Sequence, residues 1–328
     1  MANIKEVAQR AGVSTATVSK YLNGVTVKEK NKEAIDRAIR ELDYSINPIA
    51  RGLRTNRTHT IGILIPDLRF SFFTELVSDI ENRLEDLGYS SIICDYKSSP
   101  ELEEKKIGFL LSKQVDAIII APVNPSFEVT REVGVPIVYV DQMLDDPSRD
   151  YIVINNEKAS YNAVKYIISK GHNRIGFING PMSAYTARER LKGYYSAFCD
   201  AGMQFDSCYI KSGEFDIPSG YALTCELLDL PDPPTAIFAT NSDLTTGAIL
   251  ALNERNCMIG RDVSLVGFDN LDIASVVTPK LTIVTQPIEA MGTATVSSLM
   301  MRLKGEGEPG VTMLDTELLI QGSVVDIM

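Results

Sequence analysis

The sequence predicts an α/β protein with a small helical head: a three-helix unit containing a helix-turn-helix, then two lobes that each carry a doubly wound parallel sheet. Three observations predict it. Residues 4–43 hold three successive apolar stripes at helical spacing. From Thr60 onward, short apolar strands alternate with amphipathic helices, the pattern of a parallel sheet covered on both faces, and that pattern restarts at Arg174. The charge divides in the same place. Residues 1–58 hold 11 Lys/Arg against 6 Asp/Glu, and the remainder 21 against 37, so a head of +5 precedes a core of −16. A basic module joined to an acidic one points to a polyanion as the partner of the head.

Composition narrows the function classes. At 328 residues the chain has room for two or three domains, and 45% hydrophobic with 23% charged residues is ordinary for a soluble globular protein. No apolar run approaches the ~18 residues of a membrane span. Met1–Glu6 lacks the apolar core of a signal peptide. The cysteines (Cys94, Cys199, Cys208, Cys225, Cys257) are odd in number, scattered and without C-x-x-C spacing, which fits reducing cytosol rather than a disulfide framework or a zinc site. There is no phosphate loop, G-x-G-x-x-G, G-x-S-x-G or paired-histidine motif. The expectation is a cytoplasmic protein that is not an enzyme and needs no cofactor, metal or membrane.

In the head, Ile4, Val7, Ala8 and Ala11 form the first stripe, and Gly12 closes it as a C-terminal cap. Ser14 caps a second helix, about Ser14–Leu22, that turns Val18, Tyr21 and Leu22 inward and leaves Thr15, Ala16, Thr17, Ser19 and Lys20 mostly outward. Asn23-Gly24 is a turn. A third helix, about Lys30–Asp43, buries Ile35, Ala38, Ile39 and Leu42. Two helices joined by a tight turn and braced by a third make a helix-turn-helix. A recognition helix presents short polar side chains and a cation to base edges: Thr15 for bases or phosphates, Ala16 for a thymine methyl, Lys20 for guanine acceptors. A merely solvated polar face is the competing reading.

Asn47–Leu53 carries helix-start signals on too short a segment. Asn47 can cap and Pro48 suits the first helical position. Gly52 costs roughly 1 kcal/mol, and helices shorter than about 12–15 residues are marginal alone. Such a segment is expected to fold only against a partner.

Asn3-Ile-Lys-Glu-Val-Ala, Ala11-Gly-Val-Ser-Thr-Ala-Thr-Val-Ser, Ala50-Arg51-Gly52-Leu53 and Gln321-Gly322-Ser323 together resemble the LacI/GalR family of bacterial transcription repressors, over almost the whole chain. The resemblance implies a periplasmic-binding-protein-like core and a hinge helix at Asn47–Leu53 that orders on operator DNA, with Leu53 wedged into the minor groove. It makes Ser14, Thr15, Ala16, Thr17, Ser19, Lys20, Asn23, Asn47, Ala50, Arg51, Leu53 and Arg54 the DNA-contact candidates. Two departures stand out: Ile46 occupies the usual proline position, with Pro48 displaced, and Lys28 stands where a capping Ser is common.

Through the core, the expected elements are a strand at Ile61–Ile65, a helix from about Phe72, a strand at Ser90–Asp95, a helix at Pro100–Ser112, and strands at Ala117–Ala121 and Ile137–Asp141. The second run has strands at Arg174–Asn179, Ala236–Thr240 and Ser264–Gly267, with helices near Arg188–Ala201 and Asp243–Arg255. The resemblance places crossovers near Asn155–Lys158, Thr285–Pro287 and Leu314–Thr316. The expected division is therefore a head at 1–45, a hinge and linker at 46–58, and a core at 59–328 with an N-lobe (59–157, 287–314) and a C-lobe (158–286, 315–328).

Open α/β sheets bind ligands beyond the carboxyl ends of their strands. Asp269, Arg190 at a helix start, Asn241 and Gln286 can pair with hydroxyls, and Phe72, Phe73 and Phe215 can face a sugar's C–H surface. By resemblance these seven and Thr186 match effector-contact positions. Asp269–Arg190 could instead be an ion pair, Phe72 core, and Asn241 a helix cap. Ala184 stands where purine-responsive members carry Arg, which weighs against a nucleobase. Asn155, Arg69 and Arg188 leave room for an acidic sugar. His172 reads as a structural turn residue.

The leading function is thus a cytoplasmic, homodimeric regulator of double-stranded operator DNA, controlled by a small effector: a sugar, sugar phosphate or sugar acid. No heptad tail follows Val324-Val-Asp-Ile-Met, so a dimer is the default. A protein corepressor, as in catabolite-control members, is the runner-up. A transport or chemotaxis sugar-binding protein would lack the basic head.

Overall fold

The computed structural model describes residues 2–22, 25–44, 57–123, 133–270 and 272–327. The chain divides into two compact units, Met1–Thr58 and His59–Met328.

The head is built from α1 (Ile4–Ala11), α2 (Thr15–Leu22) and α3 (Glu29–Glu41). Asn3 starts α1 with a reciprocal cap. Its Oδ1 accepts from the N–H groups of Lys5 and Glu6, and the Glu6 carboxylate accepts from the Asn3 N–H. Gly12 ends α1 at φ +65°, a conformation open to glycine without penalty. The Ser14 hydroxyl accepts from the Thr17 N–H at 3.2 Å and so starts α2. Lys28 provides no side-chain cap for α3. Val7, Ala8, Val18, Ile35 and Ala38 form the core, with Tyr21, Leu22, Ile39 and Leu42 packed around it.

The larger unit holds two six-stranded sheets. The first runs β11 (Val311–Leu314), β5 (Asp150–Ile154), β4 (Ile137–Val140), β3 (Ala117–Ile120), β1 (Thr60–Ile65) and β2 (Ser90–Asp95), all parallel. The second runs β12 (Glu317–Leu319), β10 (Thr282–Thr285), β9 (Ser264–Phe268), β8 (Ala236–Ala239), β6 (Ile175–Asn179) and β7 (Ile210–Ser212). It is parallel except for β12 on β10. Central strands are buried along their length, β3, β4, β5, β6, β8 and β9 throughout, which is why they read as continuous apolar runs.

Among the described residues, α4 (Ser71–Asp86), α5 (Pro100–Ser112), α6 (Asn156–Ser169), α7 (Tyr185–Asp200), α8 (Ile217–Leu228), α9 (Ser242–Glu254), the short α10 (Ile273–Val276) and α11 (Ile288–Lys304) cover the sheets. The chain passes from the first sheet to the second between β5 and β6, returns between β10 and β11, and crosses again before β12. Five strands (β5, β7, β10, β11 and β12) and the helices α6, α8, α10 and α11 add to the elements expected from sequence, and β9 runs one residue beyond its expected end. Helix α7 begins at Tyr185, earlier than expected, so Arg190 lies in its second turn and not at its start.

Candidate functional site

A cleft of about 740 Å³ opens beyond the carboxyl ends of strands from both sheets. After β1 come Pro66 and Asp67, after β2 Lys97 and Ser98, and after β4 Asp141 and Gln142. From the second sheet come Pro181 after β6, Phe215 after β7, Asn241 after β8, Asp269 after β9 and Gln286 after β10. All eight effector candidates, Phe72, Phe73, Thr186, Arg190, Phe215, Asn241, Asp269 and Gln286, line this one space.

Arg190 is 3% exposed. Its Nε donates to Asn156 Oδ1 at 2.9 Å, its Nη1 donates to the Thr240 carbonyl, and its guanidinium lies 4.0 Å from the Phe268 ring centre. Burial pulls its pKa down against the pull of Asp269 and Asp141. The expected alternative of a direct Arg190–Asp269 ion pair is not formed. Asp269 instead accepts from the Ser242 N–H at 2.8 Å and from Gln286 Nε2 at 2.6 Å. Asn241 does cap its helix: Oδ1 accepts from the Leu244 N–H at 2.8 Å. Phe72 and Phe73, in edge contact with ring centres 4.9 Å apart, belong to the core and also reach the cleft wall. Phe215 fits only because residue 180 is glycine: a Cβ there would fall 2.1 Å from its ring.

Several cleft residues lie outside the set chosen from sequence. Gln142 bridges the two lobes, since its Oε1 accepts from the Tyr185 N–H at 3.1 Å and its Nε2 approaches Asp141 at 2.9 Å and Thr186 at 3.4 Å. It thereby serves the first turn of α7, whose N-cap, Ala184, has no side-chain acceptor. Asp243 is raised to about 6 by burial and by the carboxylates of Asp269, Asp216 and Asp67. Asp67 is held below its ordinary value by hydrogen bonds from Arg69. The available signal was the one that singled out Asp269, a polar residue directly after an apolar strand; it applies equally to Asp141 and Gln142 after Ile137–Val140. Two residues invoked for an acidic ligand do not line the cleft. Asn155 caps α6 through the Lys158 N–H, and Arg188 donates to the carbonyls of Met182 and Ser183.

On the head, Ser14, Thr15, Ala16 and Lys20 are exposed on α2, while Thr17 and Ser19 are half-buried, Thr17 with its hydroxyl 2.9 Å from that of Ser14. Asn23, Asn47, Ala50, Arg51, Leu53 and Arg54 lie outside the described residues, as does the hinge apart from Arg57 and Thr58.

Residues 3–47 match the model of bacterial regulatory proteins of the lacI family, and residues 58–321 match that of periplasmic binding proteins and the sugar binding domain of the LacI family. The chain belongs to the LacI family. It is 32% identical over 328 residues to the HTH-type transcriptional repressor CytR of Escherichia coli (strain K12), covering 98% of this chain and 96% of CytR. Among solved structures, the operator-bound Lac repressor dimer with the anti-inducer ONPF superposes with a TM-score of 0.89 at 26% identity, covering 99% of both chains. The CelR–cellobiose complex superposes at 0.76 with 30% identity, covering 98% of this chain and all of CelR. The protein is thus a DNA-binding transcriptional repressor of the LacI family, with a helix-turn-helix head and a sugar-binding-type core.

Proposed function

We propose that this LacI-family repressor acts in the cytoplasm as a homodimer on a pseudo-palindromic operator, and that a small polyhydroxylated effector in the cleft sets its operator affinity. The observation that carries this is the convergence of carboxylate, guanidinium, amide and aromatic groups from both lobes on one cleft. A ligand gripped by both lobes stabilises one relative placement of them. It therefore has the differential affinity for two states that any switch requires. The CelR complex with cellobiose supports a sugar as the ligand class.

In this reading residues 1–45 bind DNA, 46–58 form the hinge, and the N-lobe (59–157, 287–314) and C-lobe (158–286, 315–328) close on the effector. Ser14, Thr15, Ala16, Thr17, Ser19 and Lys20 face the major groove, and Leu53 wedges the minor groove. Exposed apolar side chains on both lobes support self-association: Ile93 and Phe109 on the first, Leu250, Met258 and Val276 on the second. The reading requires no catalytic step.

The test is an operator titration of Asp269→Ala with and without effector. The expected result is wild-type operator affinity and no effector response. An unchanged dose–response curve removes Asp269, and with it this reading of the cleft.

A further inference from the structure

Resting on the reading of the cleft as a sugar site, we propose that its ligand carries a primary ammonium, as an amino sugar does, and that Asp243 is the carboxylate that receives it. The wall sets six carboxylates (Asp67, Asp141, Glu214, Asp216, Asp243, Asp269) against three cations. Two of those cations are committed. Arg69 grips Asp67 through Nε and Nη2, and Arg190 is held by Asn156 and Thr240. The third, Lys97, stands exposed at the mouth.

Three of the helix starts facing the cleft already have side-chain acceptors, whereas that of α4, behind Phe70, has none. Asp216 accepts from the Ser219 N–H of α8, Asn241 and Asp269 from the Leu244 and Ser242 N–H groups of α9, and Gln142 from the Tyr185 N–H of α7. At α7, α8 and α9 an anionic ligand would find these donors occupied, and across the wall six carboxylates oppose it.

What Asp243 lacks is a donor. Asp243 is half-buried, and no described residue donates a hydrogen bond to it. Burial lifts its carboxyl to about 6, together with Asp269 and Asp216 from one lobe and Asp67 from the other, against the opposing pull of Arg69, which is itself bonded to Asp67. Independently, Gln286 is 5% exposed. Its Nε2 is fixed on Asp269, which leaves Oε1 as a buried acceptor without a donor. An ammonium supplies three donors and the missing positive charge, whereas a hydroxyl supplies one donor and no charge.

The test uses the full-length protein in thermal-shift and calorimetric titrations. Glucosamine, galactosamine and mannosamine are each compared with the parent aldose and the corresponding aldonate. The expected result is one amino sugar bound about tenfold or more tighter than its parent, with no measurable aldonate binding. Asp243→Asn should erase that preference, bringing amino sugar and parent aldose to within about threefold of each other on the same variant. Asp243→Ser, which also suits a helix start, replaces it should the amide variant fail to fold. A parent sugar or aldonate bound as tightly as the amine, or a preference that survives both substitutions, overturns the ammonium inference alone. If no compound binds and Asp269→Ala leaves the effector dose–response curve unchanged, the sugar reading falls and takes this inference with it.

Discussion

Asp141 and Asp269 occupy matching places. Each directly follows the strand third from one edge of its sheet, and each adopts a positive φ, +64° and +73°. A non-glycine residue there costs on the order of 1–3 kcal/mol and persists only where its surroundings hold it. For Asp269 those surroundings are the Ser242 N–H and Gln286. The strain is therefore located at the cleft, where Asp269→Ala is expected to silence the effector response. Gly180→Ala acts one step removed. Its new methyl must displace the Phe215 ring, so effector affinity should fall by about tenfold, the worth of one aromatic contact, with the fold's melting profile retained; calorimetric titration reads it. Glu103 is legible only in three dimensions. It sits on a helix face that sequence reads as polar, yet it is fully buried, and burial raises its carboxyl to about 7. The unfolded chain loses this proton first, so the contribution of Glu103 is complete below about pH 4.5 and is lost as pH rises through about 7. The difference is about 3 kcal/mol at ~1.4 kcal/mol per unit. Glu103→Gln should flatten that part of the profile, as read by urea unfolding at pH 5 and pH 8; parallel profiles for variant and wild type would refute it.

Elements were legible where one face or both were apolar over a sufficient length. The head's three helices follow from the periodicity of one buried stripe, and the strands β1, β3, β4, β6 and β8 from nearly continuous burial; β2, with only Cys94 buried, was still legible as a short apolar run. Strands β11 and β12 sit at sheet edges with most residues exposed, so no alternation marks them. Helix α8 begins with Ile217 and Pro218 exposed at the cleft and buries Gly220 against Leu244 of α9, a contact that apolar periodicity does not register. The C-terminal strap is held by His172. Its ring is 1% exposed, with Nδ1 2.8 Å from the Thr235 hydroxyl and Nε2 3.1 Å from the Val325 carbonyl. Burial lowers its pKa. The unfolded chain takes up the proton more readily, so this contribution is complete above about pH 6.5 and is lost as pH falls through the depressed folded value. Hydrogen exchange at the Ile327 N–H, which donates to the Lys170 carbonyl at 3.0 Å, should accelerate on acidification beyond the intrinsic rate change. It should not do so in His172→Gln, if the variant's strap stays in place at neutral pH. For the hinge, Leu53→Ala is expected to weaken specific operator binding far more than non-specific binding, because only the specific complex holds an unstacked base step. Equal losses in a filter-binding comparison would show that Leu53 is not a wedge.

For the whole molecule, the charge division at residue 58 and the repeated strand–helix pattern placed a basic helical head before two α/β lobes, and the family resemblance made these a DNA-binding head and a ligand-binding core. The character of the cleft did not follow from the sequence. It depends on which acids face each other from different lobes, and Asp67, Asp216, Asp243 and Asp269 come from separate strand ends. If the cleft controls the head, ligand and operator are linked, and linkage is reciprocal. The direct measurement is operator affinity of the full-length protein with and without saturating ligand, paired with ligand affinity with and without saturating operator. The account predicts equal factors in the two directions, about 5- to 150-fold, that vanish in Asp269→Ala. Operator affinity that is indifferent to a ligand shown to occupy the cleft would contradict it.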